Sequence, residues 1–172
     1  MKSKTAAPAR VSVSEVVWSW IGALLGIMAV AYISYNILDG TGFTIIIGSF
    51  GASAVLIYGA IKSPLAQPRN LIGGHILSAI IGVTCYKLFH NHMWFAAPLA
   101  VATAIAVMHL TRTLHPPGGA TSLIAVIGGK TIHDLGYVYA IVPAGAGAVI
   151  MLIVALIVNN IPKNRSYPEY WF

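Results

Sequence analysis

Charged residues and cysteine are scarce in this chain. Only 8% of its 172 residues are charged, and aspartate and glutamate together number four, whereas about 25% of the residues of a soluble domain are charged. The composition therefore excludes an ordinary soluble domain. The single cysteine, Cys85, excludes an intramolecular disulfide.

Hydrophobic residues make up 58% of the chain, and several apolar stretches reach the roughly 20 residues that a helix needs to cross a bilayer. We predict one all-α, multi-pass transmembrane domain over residues 1–172, surrounded by membrane lipid. The net charge of +6 comes from basic residues at the ends of the apolar stretches, where lipid headgroups and membrane topology explain them. No nucleic-acid partner is expected.

The apolar stretches predict four long helices and two short ones. The long helices are expected at residues 16–35, 71–88, 94–113 and 137–158, with Ser14 as the cap of the first. The β-branched run 43–47 predicts extended chain, followed by a short helix from about Ser49. Residues 62–70 and 128–136 are expected to be loops.

Residues 114–122, with the sequence LHPPGGATS, interrupt the apolar pattern. Two consecutive prolines remove two backbone donors and disfavour helical geometry at the residue before each of them. A short helix is expected to restart near Gly118 and to run to Ile127. The motif therefore predicts a membrane crossing in two halves, first extended and then helical.

The two short segments resemble each other. Residues 51–56 (GASAVL) match residues 119–124 (GATSLI) at an offset of 68 residues, 119 − 51. We predict two repeats, at about 14–89 and 93–160, each with the order long helix, broken short helix, long helix, and a tail at 161–172. Since each repeat would cross three times, the second must be inverted relative to the first, as in many secondary transporters.

The distribution of basic residues predicts the orientation. Six crossings with a cytoplasmic N-terminus divide them eight to two. Lys87 and Lys130 lie outside, whereas the cytoplasmic set is Lys2, Lys4, Arg10, Lys62, Arg69, Arg112, Lys163 and Arg165. A re-entrant segment after His115 would give a poorer division of six to four. We therefore predict that both termini, and the tail, lie in the cytoplasm. The first apolar segment has no small-residue cleavage site and the N-terminus lacks the features of a transit peptide, so the expected location is a bacterial inner membrane.

Four ordered motifs resemble the HPP family of integral membrane proteins, which is named for His-Pro-Pro. They are LHPPGGAT at 114–121, GSFGASAVL at 48–56, SPLAQPRN with GGH at 63–75, and NN with YPEYW at 159–171. The resemblance implies membrane transport, because the chloroplast and cyanobacterial members transport nitrite. The family is often described with four spans, whereas the pattern here predicts six crossings.

The two short helices are expected to direct their N-terminal amides and positive dipole ends toward one point at the membrane midplane, which suits a small anion. The predicted substrate-binding residues are Ser49, Gly51, Ser53, His115, Gly118, Gly119, Thr121 and Ser122. Tight helix packing is the alternative use of the small residues. For His115, anion binding, proton relay and a hydrogen bond to a free carbonyl all stay open.

Polar residues near the predicted cytoplasmic mouth are candidates for gating or access. They are Gln67, Arg69, Asn70 and His75. Asn70 is also a candidate cap for the following helix, and Arg69 a candidate for attracting anions. The other histidines are spread over several segment ends without a cysteine or carboxylate cluster, so neither a metal site nor a cofactor is predicted.

These observations predict a transporter or channel for a small inorganic anion, and the family resemblance favours nitrite. A homo-oligomer is expected, because one protomer of this size has little protein with which to screen a path from lipid. An enzyme is not expected, since the sequence offers no intramembrane carboxylate or visible nucleophile and base pair. The alternatives are a membrane-embedded enzyme acting on lipid or quinone, and a regulatory or interaction subunit.

Overall fold

The computed structural model describes residues 10–172, so Lys2 and Lys4 lie outside the described residues. Within this range the chain forms helices, turns and irregular segments and contains no strand. Four helical segments are long and apolar enough to cross a membrane: Val13–Ile37, Pro68–Phe89, Met93–Leu110 and Gly129–Val158. Two shorter apolar helices, Ser49–Gly59 and Pro116–Ile127, lie between them. The prediction of an all-α membrane bundle with four long and two short helices is confirmed.

Seven α-helices make up the described chain. They are α1 (Val13–Tyr32), α2 (Ser49–Ala54), α3 (Pro68–Phe89), α4 (Met93–Leu110), α5 (Pro116–Ile127), α6 (Gly129–Leu135) and α7 (Ala146–Val158). π-helical turns extend α1 to Ile37 and α2 to Gly59, and a short 3-10 turn, Pro64–Ala66, precedes α3. Residues 43–47 are non-helical, as their β-branched sequence predicted.

Several predicted boundaries were wrong. The cap of α1 is Ser12, not Ser14, because the Ser12 hydroxyl accepts the N–H of Glu15 at 3.2 Å. Helix α3 begins at Pro68, where a proline suits the first helical position, and shortens the predicted loop 62–70. Most of the predicted loop 128–136 is helix α6.

The last long span is interrupted, which the apolar pattern did not predict. Val142 has the extended angles φ −132° and ψ 117°, because the ring of the following Pro143 disfavours helical geometry at the residue before it. Regular α-helix resumes only at Ala146. A 3-10 turn and a π-helical turn link α6 to α7.

The helices alternate in direction between two ends of the bundle. At the tail end, Glu15 of α1 lies 3.7 Å from Arg165, and Tyr167 donates to the carbonyl of Ala66 before α3. We define the tail end as the start of α1, residues 60–67, residues 111–115 and the C-terminal tail. At the far end, Tyr86 of α3 stacks on His133 of α6 at 3.6 Å.

These contacts give the direction of each helix. Helices α1, α3 and α5 run away from the tail end, whereas α2, α4 and α7 run toward it. Corresponding helices of the two repeats, such as α1 and α4, therefore run in opposite directions. This is the inverted arrangement that the sequence repeat predicted, with six traverses of the bundle.

Candidate functional site

The motif at 114–122 enters the bundle as extended chain held by the first turn of α3. The guanidinium of Arg69 donates to the carbonyl of Thr111 at 2.7 Å, and the Asn70 amide donates to the carbonyl of Leu114 at 2.8 Å. His115, before the two prolines, is extended with φ −138° and ψ 106°. The prolines and α3 together fix the position of the His115 ring.

A serine bridges two histidine rings in the interior. The Ser53 hydroxyl oxygen on α2 lies 2.8 Å from Nε2 of His75 on α3 and 2.9 Å from Nε2 of His115. The two ring centroids are 5.2 Å apart and the ring planes are inclined by 62°. One hydroxyl therefore joins both imidazoles.

The network continues from each ring in opposite directions. Nδ1 of His115 donates to the carbonyl of Leu65 at 2.8 Å, while Nδ1 of His75 lies 2.7 Å from the hydroxyl of Thr121 on α5. The Thr121 hydroxyl in turn donates to Ser49 at 2.9 Å. We call Ser49, Ser53, His75, His115 and Thr121 the histidine network.

The sequence repeat has a direct counterpart in this network. Ser53 and Thr121 occupy matching positions of the two repeats, and their hydroxyls lie against the two nitrogens of the same ring, His75. The two short helices thus meet through one imidazole contributed by α3.

The network is buried in apolar surroundings. Ser53, His75, His115 and Thr121 are fully buried, and Ser49 is 1% exposed. Phe50 packs against the ring of His75 with centroids 5.1 Å apart. Among the buried side chains of residues 10–172 there is no lysine and no carboxylate. Ionisable groups in such a position are costly and usually mark a functional site of a membrane protein.

The short helices overlap side by side instead of meeting end to end. Ser49 at the start of α2 reaches Thr121 in the second turn of α5, while Ser53 reaches His115 at the cap of α5. The first amides are already bonded locally: the N–H of Gly118 donates to His115, and that of Gly51 to Gly48. Side chains, more than free amides, converge at this point.

The remaining predicted binding residues lie beside the network without joining it. The Ser122 hydroxyl donates to the carbonyl of Gly119 in its own helix. Gly51 is exposed, and a Cβ built on it would meet no atom within 4 Å. A Cβ on Gly118 would lie 2.8 Å from the carbonyl oxygen of Gly74, so this glycine permits close contact between α5 and α3.

Of the predicted gating residues, three hold backbone segments together. Gln67 is buried and donates to the carbonyls of Ile61 and Ser63, while Arg69 and Asn70 fix residues 111–114. Asn70 lies within α3 and does not cap it, so that expectation was wrong. His75 is not at a mouth but in the middle of the network.

Sequence reasoning missed two contributors to the site. Tyr139 is buried and donates from its hydroxyl to the carbonyl of Thr121 at 3.2 Å. Leu65 contributes only its backbone carbonyl, for which no side-chain signal exists. The proline-rich motif at 63–70 was the signal that could have placed a fixed turn there.

The other histidines lie apart from the network. His133 binds the carbonyl of Val126 at the far end, and His109 is exposed near the end of α4. No group of three histidine, cysteine or carboxylate side chains with metal-binding geometry occurs in residues 10–172.

An inverted repeat of broken apolar helices around buried polar side chains defines a multi-pass helical membrane protein. A sequence model described as "HPP, transmembrane region" matches residues 8–168. The chain therefore belongs to the HPP family of transmembrane proteins.

Two curated relatives come from Dictyostelium discoideum, and both are described as transmembrane proteins. One is 44% identical over 168 residues, which is 96% of this chain and 54% of the relative. The other is 47% identical over 161 residues, 92% of this chain and 56% of the relative. The chain thus spans about half the length of these relatives. No solved structure gives a significant match to the chain.

Proposed function

We propose that this protein transports a small inorganic anion across a membrane, through the interior between the two short helices. The observation that carries the proposal is the histidine network, which places two imidazoles and three hydroxyls within a bundle of apolar spans. Polar groups buried in lipid-embedded helices are costly and are typical of substrate pathways. Nitrite is the substrate favoured by the family resemblance.

The groups in the network suit a small anion better than a cation or a large solute. Hydroxyl and imidazole N–H groups are hydrogen-bond donors, and no buried carboxylate among the described residues would repel an anion. In this structure the network is closed upon itself, so an arriving anion must replace hydrogen bonds such as that between Thr121 and Ser49. Binding that replaces existing bonds is weak enough to allow release.

The direct test is an uptake assay with purified protein in liposomes, using nitrite, nitrate, formate, chloride and bicarbonate as alternative substrates. We expect nitrite uptake well above that of protein-free liposomes, which measure leakage of the free acid through lipid. Chloride should be a poor substrate if planar oxoanions fit best. Absence of protein-dependent flux for all five anions would overturn the proposal.

A membrane-embedded enzyme is the alternative, and one observation favours it. The 2.8 Å contact between Ser53 and His75 has the distance of a nucleophile and its base. Ser53 nevertheless lies inside α2 and its hydroxyl is shared by two rings. A fluorophosphonate probe, which labels reactive serines covalently, distinguishes the two functions. Labelling of Ser53 would support an enzyme, and we expect no labelling.

Oligomerisation and location belong to the same proposal. We expect a homo-oligomer, with the network enclosed in each protomer and lipid or a second copy covering the exposed apolar faces of α1 and α4. Mass measurement of the protein in lipid nanodiscs gives the copy number. The expected location is a bacterial inner membrane with the tail end facing the cytoplasm.

A further inference from the structure

Ser53 joins two histidines, and no buried lysine or carboxylate occurs among the described residues. The hydrogen bonds of the network limit which ring nitrogens carry a hydrogen. The carbonyl of Leu65 only accepts, so Nδ1 of His115 carries a hydrogen. If both rings are neutral, Nε2 of His115 carries none and accepts the Ser53 hydroxyl. Ser53 must then accept from Nε2 of His75.

The neutral arrangement has a consequence at the other end of the network. His75 then has no hydrogen on Nδ1 and accepts one from Thr121, and the contact between Thr121 and Ser49 is kept when the Ser49 hydroxyl donates to Thr121. When Thr121 instead donates to Ser49 or to the carbonyl of Pro117, Nδ1 of His75 carries a hydrogen and donates it to Thr121. Both Ser53 contacts then need a third ring hydrogen, so the same set of contacts holds either with two neutral rings or with one imidazolium.

The third hydrogen has two equivalent places. It lies either on Nε2 of His115, with Ser53 donating to His75, or on Nε2 of His75, with Ser53 donating to His115. Exchange between them needs no heavy-atom movement: one ring gives a proton to the Ser53 oxygen while the Ser53 hydroxyl gives its own proton to the other ring. An N–H bond of the first ring and the O–H bond of Ser53 break, a new O–H bond and an N–H bond of the second ring form, and the positive charge moves between the rings.

We infer that Ser53, His75 and His115 form a binding site for one proton and that this proton accompanies each transported anion. This inference rests on the proposed transport function. A monovalent anion that leaves water for this interior needs an opposite charge beside it. Imidazolium is the charge that the network itself supplies.

The other charged and titratable groups around the site do not supply that charge. Tyr139 faces Thr121 from the segment before α7, but it donates to a backbone carbonyl and is neutral. Among the lysines and arginines of residues 10–172, Arg165 is the buried one, and it binds the carbonyl of Tyr58 and the side chain of Asn159. Arg69, in the first turn of α3, binds the carbonyl of Thr111 at the tail end.

The inferred substrate class is therefore a small monovalent oxoanion taken together with one proton, in an electroneutral step. Proton and anion enter as H⁺ and A⁻ on one side and leave as the same pair on the other, so no net charge crosses. Because the two ligands are linked, each must raise the affinity of the protein for the other by the same factor.

Transport with imposed driving forces tests the coupling in the unmodified protein. In proteoliposomes with an alkaline interior we expect the initial rate of nitrite accumulation to exceed that of protein-free liposomes with the same pH gradient. With equal pH on both sides, a potassium diffusion potential of either sign should leave the uptake rate unchanged. A rate that follows the potential and ignores the pH gradient would overturn the inference, while leaving anion transport in place.

Nitrogen NMR of histidine-labelled protein tests the proton site independently of flux. At fixed pH, saturating nitrite should move the signals of His75 and His115 toward the doubly protonated form. His109→Gln, which removes an exposed ring outside the network, should leave this response unchanged, whereas Ser53→Ala should abolish the joint response of the two rings. Nitrite binding without any change in ring protonation would contradict the inference.

The transport assay and the NMR experiment together distinguish failure of this inference from failure of the proposed function. Absence of uptake under every driving force would overturn transport, and the NMR response to acid would still decide whether the two rings share one proton. Independent titration of the rings in the unmodified protein would overturn the shared site even if transport occurs.

Discussion

At the scale of single residues, Gly118 is packed tightly against neighbouring helices, whereas Gly51 lies beside open space. Gly118 has the Gly74 carbonyl oxygen and the Ser78 hydroxyl 2.8 Å from the position of a Cβ, and Met108 sulfur at 2.9 Å. Gly51 has no atom within 4 Å of that position. Both were predicted to be substrate-binding residues, with tight helix packing as the alternative, and the packing explanation fits Gly118 better.

This difference predicts opposite effects of the same substitution. Gly118→Ala should destabilise the protein by about 1–3 kcal/mol, because the added methyl forces α5 away from α3. Gly51→Ala should have no destabilising effect, since the site is open and alanine favours the helix by roughly 0.5–1 kcal/mol. Unfolding midpoints in the same detergent measure both. Equal midpoints for the two variants would contradict the packing assignment.

Side chains of the network were only partly predictable. Ser49, Ser53, His115 and Thr121 stand in the two broken segments, so the break and the repeat identified them. His75 was assigned to a mouth, because its position follows a loop motif by only a few residues. Its place between Ser53 and Thr121 depends on contacts 22 and 46 residues away in sequence, which no local pattern encodes.

At the scale of elements, the C-terminal tail fastens the turn that holds His115. Tyr167 donates to the carbonyl of Ala66, and the N–H of Glu169 donates to Gln67. Arg165 binds the carbonyl of Tyr58 at the end of the α2 segment. Burial lowers the pKa of Arg165, while the nearby Glu15 opposes that shift. The tail therefore helps to hold Leu65 in place, and the Leu65 carbonyl in turn fixes the His115 ring.

The tail contact predicts a particular pH dependence. Burial raises the pKa of Tyr167 above the ordinary tyrosine value of about 10, so the folded protein keeps a proton that the unfolded chain loses. This contribution to stability is present below pH about 10 and is lost as the pH rises further.

Tyr167→Phe is the matched variant for this effect. It should cost about 1 kcal/mol at pH 8, through the lost bond to Ala66, and the difference from the unmodified protein should shrink as the pH rises from about 10 to about 11. Unfolding free energies in detergent across this range check it. A difference that stays constant with pH would mean that the Tyr167 hydroxyl does not keep its proton in the folded state.

The local sequence pattern predicted some helix boundaries and missed others. The break at 114–117 was predicted because two prolines have an unambiguous backbone effect. Helix α6 was missed because its glycine and charged residues are typical of a loop, and the break at Val142 was missed because apolar residues surround Pro143. Packing against α3 and α5, which the local sequence does not encode, determines the conformation of these two segments.

At the scale of the whole molecule, the inverted repeat and the charge distribution agree. Among the described residues, Lys87 and Lys130 lie at the far end. The other six basic residues, Arg10, Lys62, Arg69, Arg112, Lys163 and Arg165, lie at or near the tail end. Composition and a short internal match were enough to predict this architecture, because hydrocarbon requires helices of fixed length and the number of crossings sets their directions.

Site-specific labelling tests this architecture. In a Cys85→Ala background, single cysteines at positions 62 and 163 should react with an impermeant maleimide only from the cytoplasmic side. Cysteines at positions 91 and 130 should react only from the opposite side. Reaction of positions 62 and 130 from the same side would contradict the six traverses and the inverted repeat.

The most direct test of the account compares two buried serines in one uptake assay. Ser53 joins the two imidazoles, whereas Ser78, three residues after His75 on α3, donates to the sulfur of Met108 outside the network. Nitrite uptake by Ser53→Ala proteoliposomes should fall by about a hundredfold or more, the lower end of the range for lost proton-transfer groups, while Ser78→Ala retains the rate of the unmodified protein. Equal rates for both variants, with equal protein folding, would contradict a transport role for the histidine network.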